Sequence, residues 1–104
     1  MKDIIYLVTE RDGEERADVF TSWPEVFGFT FSPVVRVSAC LTINHTHGKT
    51  YRERQANAHN LAVQFSNHQA PGLSWSEVAT ISESFEKLGK RCGLLREFRE
   101  NGLI

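Results

Sequence analysis

A chain of 104 residues, 40% apolar and 24% charged with a formal net charge of −1, suits one domain and is too apolar to stay disordered. Seven Phe, two Trp and two Tyr supply a core that needs no metal, cofactor or disulfide, and the near-neutral balance excludes the overall basic excess of most nucleic-acid-binding domains. The uncharged stretches Val26 to Val35 and Val37 to Gly48 are too short and polar to span a bilayer, and Ile4-Ile5-Tyr6 is too short a run for a signal peptide.

Ile4 to Thr9 is rich in β-branched and aromatic residues and reads as a strand. Asp12-Gly13 follows, a dipeptide that tolerates positive φ at both positions, so Ala17 to Thr21 is expected to return as an antiparallel strand. Ser22-Trp23-Pro24-Glu25 is a helix start, and Gly28 is expected to end that helix within one or two turns. Phe27, Phe29 and Phe31 alternate, which suits extended chain. Val34 to Ile43 is the longest expected strand, with Val35, Val37, Ala39, Leu41 and Ile43 on one face and Arg36, Ser38, Cys40 and Thr42 on the other.

His45-Thr46-His47-Gly48 is a turn, and Lys49-Thr50-Tyr51 is expected to return as a short edge strand. Ala58, Leu61, Ala62 and Phe65 then recur at helical spacing up to Asn67-His68. Ala70-Pro71-Gly72 breaks the chain, and Ser74-Trp75-Ser76-Glu77 opens a second long helix with a capping box. Its stripe is Val78, Ile81, Phe85 and Leu88, and it is expected to stop at Gly89 or Gly93. Leu94 to Arg99 is a last short helix packing Leu94, Leu95 and Phe98 inward. The sum is one α+β domain over residues 1–104: a small antiparallel sheet, with helices gathered in the second half.

The charge is uneven. Residues 1–31 carry three Lys/Arg against seven Asp/Glu; residues 32–72 carry four against one, with all four histidines. Such a polarised surface suits a charged partner. Among chemical constellations, His45-x-His47 with Cys40 and His59 lacks the paired spacing of zinc sites, so no metal is expected. Cys40 and Cys92 lie 52 positions apart and form no disulfide framework; Lys90 and Arg91 beside Cys92 supply one ingredient of a reactive thiol and nothing supplies the rest. No phosphate loop or catalytic signature appears, and the expectation is a non-enzyme.

Two binding surfaces remain. Trp23, Phe27, Phe29, Phe31 and Trp75 exceed what one small sheet face normally hides, and aromatic residues are enriched at interface hot spots. With the acids Asp12, Glu14 and Glu15 at the hairpin tip, Trp23 and Phe27 are the expected partner-binding residues. The alternative is a nucleic-acid surface over the basic stretch 36–54, formed by Arg36, His45, His47, Lys49, Tyr51, Arg52 and Arg54, which could grip phosphates and stack a base. A long one-sided strand could also pair with its twin, so a homodimer is compatible with the pattern.

The closing run Leu88-Gly89-Lys90-Arg91-Cys92-Gly93-Leu94-Leu95-Arg96-Glu97-Phe98-Arg99-Glu100-Asn101-Gly102 resembles the tail of small accessory proteins of lambdoid phages and prophages of enteric bacteria, over roughly the last third of the chain. The resemblance implies a phage-encoded factor in the host cytoplasm that inhibits or redirects a host protein or defence complex, and it adds no catalytic residue. Phe20-Thr21-Ser22-Trp23-Pro24-Glu25 with Gly28-Phe29 is similar to the small hybrid-binding domain ahead of some ribonucleases H. That match breaks at Ser32-Pro33-Val34-Val35, where the domain would carry a lysine- and aromatic-bearing strand.

Overall fold

A computed structural model describes residues 3–30 and 33–104. The elements run β1 (Ile5–Arg11), β2 (Glu14–Phe20), α1 (Trp23–Thr30), β3 (Arg36–Thr42), α2 (Tyr51–Asn67), α3 (Trp75–Cys92) and α4 (Leu95–Glu100). The sheet is antiparallel in the order β2-β1-β3, so the expected α+β class holds. Asp12 and Gly13 take φ of 54° and 83°, closing the hairpin in the mirror-image turn that matches strand twist.

Most of the core lies on one sheet face. Tyr6, Val8, Ala17, Leu41 and Ile43 pack there against Ala58, Ala62 and Phe65 of α2, Ile81, Phe85 and Leu88 of α3, and Phe98 of α4. A chain of rings ties these layers together: Tyr6–Phe65 at 4.8 Å, Phe65–Phe85 at 5.2 Å and Phe85–Phe98 at 5.6 Å between centroids. Edge-on and tilted rings at these separations add attraction beyond their buried area. The Tyr6 hydroxyl donates to the His68 carbonyl at 2.9 Å, satisfying its polar end and fixing where α2 stops. Among the described residues the opposite sheet face carries a smaller core, Ile5, Leu7 and Val26 with Phe20, beneath α1.

Three local expectations are corrected. Phe27 and Phe29 are helical, because α1 continues through Gly28 to Thr30; Phe31 lies outside the described residues. The long strand begins at Arg36, and its register slips where Val8 faces Ala39 but Thr9 faces Val37, leaving Ser38 as a bulge. One extra residue flips the side-chain alternation, so Val37 joins the α1 face instead of sharing the helix-covered face with Ala39 and Leu41. Lys49-Thr50-Tyr51 forms no edge strand. Thr50 instead caps α2, its hydroxyl accepting from the Glu53 N–H, while the Lys49 N–H donates to the Glu53 carboxylate.

The second long helix has its capping box as expected: Ser74 and Glu77 exchange bonds of 3.2 and 2.9 Å, and Gly93 ends the helix in the left-handed conformation. Glu77 also accepts from the Val19 N–H at 3.3 Å, and the Pro71 carbonyl accepts from the Ala17 N–H at 2.8 Å. These two contacts close the outer edge of β2. Gly72, beside Pro71, has φ of 118°, and a Cβ there would lie 2.9 Å from the Ala17 carbonyl oxygen. Gly72→Ala is therefore expected to cost about 1–3 kcal/mol, the range for backbone strain in a region reserved for glycine. A urea unfolding midpoint equal to wild type would show that the 70–73 connection does not hold the edge as described.

Candidate functional site

The aromatic surface is built by α1. Pro24 in its first turn and Val26 beneath it seat the helix on Ile5 and Leu7, which turns its other side chains outward. Trp23 and Phe27, four residues apart, share one helix side with ring centroids 6.1 Å apart, and Phe27 is 56% exposed. Phe29 pairs with Phe20 at 5.5 Å and is itself exposed. Val34 and Val37 are exposed as well, the latter on this face because of the bulge. Several large apolar side chains thus stand open on α1 and on the chain that leads from it into β3.

Of the acids expected to flank this surface, Glu14 reaches a hollow of about 420 Å³ that Phe29 lines with Val35, Thr9 and Arg16. Asp12, Glu14 and Glu15 together line a second hollow against Pro71 and Gly72, on the β2 edge. Trp75 is 90% exposed at the first residue of α3, on a different element.

Asp18 sits in the hollow with Phe29, and sequence reasoning missed it. Its Oδ2 is buried without a hydrogen-bond partner, and Arg16 reaches Oδ1 only at 3.6 Å. Burial raises its pKa, opposed by Arg16 and assisted by the Glu77 charge. Because the folded form holds its proton more tightly than the unfolded chain, ionised Asp18 detracts from stability at neutral pH, and the cost is relieved as pH falls through the carboxylate range. Asp18→Asn is expected to raise neutral-pH stability by up to about 1 kcal/mol, the order of an unsatisfied buried polar group. Urea midpoints should show that gain shrinking in acid; a variant less stable than wild type at neutral pH would contradict it. Glu77 behaves oppositely: the Ser74 and Val19 N–H groups lower its pKa, so its contribution is present at neutral pH and lost in acid.

The basic stretch is only partly assembled. His45, His47, Lys49, Tyr51, Arg52 and Arg54 gather at the turn and the first turn of α2, all exposed. Arg36 opens β3 opposite Glu10, about 20 Å of strand away from that turn. Acids temper the cluster: Asp3 holds His45 at 2.7 Å, and Glu53 sits over the helix N-terminus. His59 pairs with Glu97 at 2.6 Å between α2 and α4, away from the other histidines. Arg96 pairs with Glu100 at 3.3 Å and Lys90 with Glu86 at 3.4 Å, each one helical turn apart. Among the described residues no three His, Cys, Asp or Glu side chains converge as a metal site would require. Burial pushes the Cys40 thiol up, the opposite of what a thiolate nucleophile needs.

No helix among the described residues is long and apolar enough to cross a membrane. Compared with protein families, with curated proteins and with solved structures, the chain matches none.

Proposed function

We propose that this chain is a non-catalytic protein-binding factor whose contact surface is the outer side of α1 with the neighbouring β3 face. The observation that carries this reading is the exposed Trp23–Phe27 ring pair on α1, with Phe29, Val34 and Val37 also exposed on that helix and the chain after it. Exposed large apolar side chains mark interaction sites when they cluster, and an aromatic pair supplies the anchors of a hot spot. The resemblance of the closing run to phage accessory proteins supplies the class of partner: a host protein or complex in the cytoplasm that the factor inhibits or redirects.

A second reading rests on Lys49, Tyr51, Arg52 and Arg54, exposed together at the start of α2. They would make the chain a small nucleic-acid-binding regulator. The balance favours protein, because Glu53 already occupies the α2 N-terminus where a phosphate would bind. Affinity capture from an enterobacterial lysate, with and without nuclease, tests both. A stoichiometric protein surviving nuclease supports the first reading. Recovery that vanishes with nuclease, falls steeply with salt and is weakened by Lys49→Ala or Arg52→Ala replaces it with the second.

A further inference from the structure

The two outer edges of the sheet are treated differently. The outward N–H groups of β2, Ala17 and Val19, are taken by the Pro71 carbonyl and the Glu77 carboxylate. The register of β1 against β3, with the Ile43 N–H donating to the Ile4 carbonyl at 2.8 Å, turns the N–H and C=O of Cys40 and Thr42 away from β1. No described strand pairs with that side. Exposed edges invite a further strand, and natural folds commonly cover or interrupt them. Here the bulge at Ser38 interrupts the first half of β3, leaving Ala39 to Thr42 regular and open.

Beside that open half runs a groove of about 420 Å³, walled on one side by Cys40 and Thr42 and on the other by Asn57, Asn60, Leu61 and Gln64 of α2. The spacing of these four, at i, i+3, i+4 and i+7, puts three carboxamides and one leucine on a single helix side. Asn57 donates to the His47 carbonyl, and Asn60 and Gln64 remain to meet a peptide. Carboxamides both donate and accept, as a peptide group does. A strand edge facing a helix that carries such a row has the shape and hydrogen-bonding character used to capture an extended peptide by strand addition.

We infer that the β3 edge and the α2 carboxamide row form a docking groove for an extended, acidic segment of another polypeptide, which adds to the sheet as a fourth strand. Two observations select this occupant. The groove lining includes His45 and His47 and no carboxylate, and Asp3 engages His45 from outside the lining; Arg36 begins β3 and Lys49 shortly precedes α2, the two elements that wall the groove. And a seven-residue strand, regular over only its second half, offers far less area than the roughly 800 Å² per partner of a stable protein pair, which suits a peptide segment better than a second copy of this chain. The groove is distinct from the aromatic surface of α1, so its test stands or falls independently of the reading above.

The probe is a displayed library of random peptides, roughly eight residues long, enough to run the length of β3. Acid-rich sequences are expected to be enriched. Synthetic copies are expected to slow amide exchange at Cys40 and Thr42, while Leu41 and Ile43, already bonded to β1, change little. Thr42→Pro removes an outward N–H at an edge position where proline is tolerated, and should weaken binding at least about tenfold. Asn60→Asp with Gln64→Glu, both on exposed helix surface, should weaken acidic peptides similarly and keeps the test intact if the proline variant unfolds. The inference is overturned if no peptide is enriched, or if binding survives the folded variants. A sedimentation-detected dimer that protects the same two amides would also overturn it, assigning the edge to a second copy.

Discussion

Replacing Phe85 with alanine is expected to lower the stability of the domain by about 3–5 kcal/mol, the range for truncating a fully buried phenylalanine. Phe85 has no solvent exposure and sits midway along the ring chain, between Phe65 of α2 and Phe98 of α4. Its removal leaves a cavity bounded by three helices, and none can collapse inward without breaking its own packing on the sheet. Domains of this size hold only about 5–15 kcal/mol in all. The variant should therefore unfold at markedly lower urea or melt well below wild type. A midpoint within error of wild type would mean that α2, α3 and α4 do not share one core.

The second large effect concerns binding. Phe27→Ser is expected to weaken partner capture by at least about 30-fold, the 2 kcal/mol that defines a hot spot, with little change in melting temperature. The two readouts separate because Phe27 is more than half exposed and contributes little to either core. Trp23, its neighbour on the helix, should behave similarly when changed to serine. Lys49→Ala and Arg52→Ala should leave capture nearly unchanged, since both lie at the start of α2 rather than on the aromatic surface. Modest salt dependence would accompany this pattern. Phe27→Ser with unaltered capture would remove the aromatic surface from the account.

What the sequence made legible follows from how local each signal was. The Asp12-Gly13 hairpin, the Ser74–Glu77 capping box and the Ala58-to-Phe65 stripe rest on neighbours within a few residues, and the fold realises each. The Phe27 and Phe29 alternation misled because α1 is seated by Val26 on a sheet formed elsewhere in the chain, and that packing outweighs the helix cost of Gly28. The β3 bulge was invisible for a related reason: it is a relation between Ser38 and a strand about thirty residues earlier. Lys49 to Tyr51 resembled a strand in residue type, yet Thr50 followed by Glu53 is a capping pattern that could have been recognised.

The candidate surfaces were legible in part. That Trp23 and Phe27 stand outside could not be read from composition, since the same residues could have filled the core; their exposure depends on how small the α1-side core is. The acids Asp12, Glu14 and Glu15 are close in sequence and share one hollow at the hairpin tip. Strand alternation points Glu14 and Glu15 to opposite faces, and of the three acids only Glu14 also lines the hollow with Phe29. The carboxamide row Asn57, Asn60 and Gln64 was present in the helical spacing, but its meaning depends on an open strand edge that only the tertiary structure supplies.

The most direct test of the central claim is a side-by-side capture from nuclease-treated enterobacterial lysate, using wild type and Phe27→Ser at equal loading. The account predicts one host protein retained in near-stoichiometric amount by wild type and lost from the variant, with both baits folded. No retained protein, or equal retention by both baits, would contradict it.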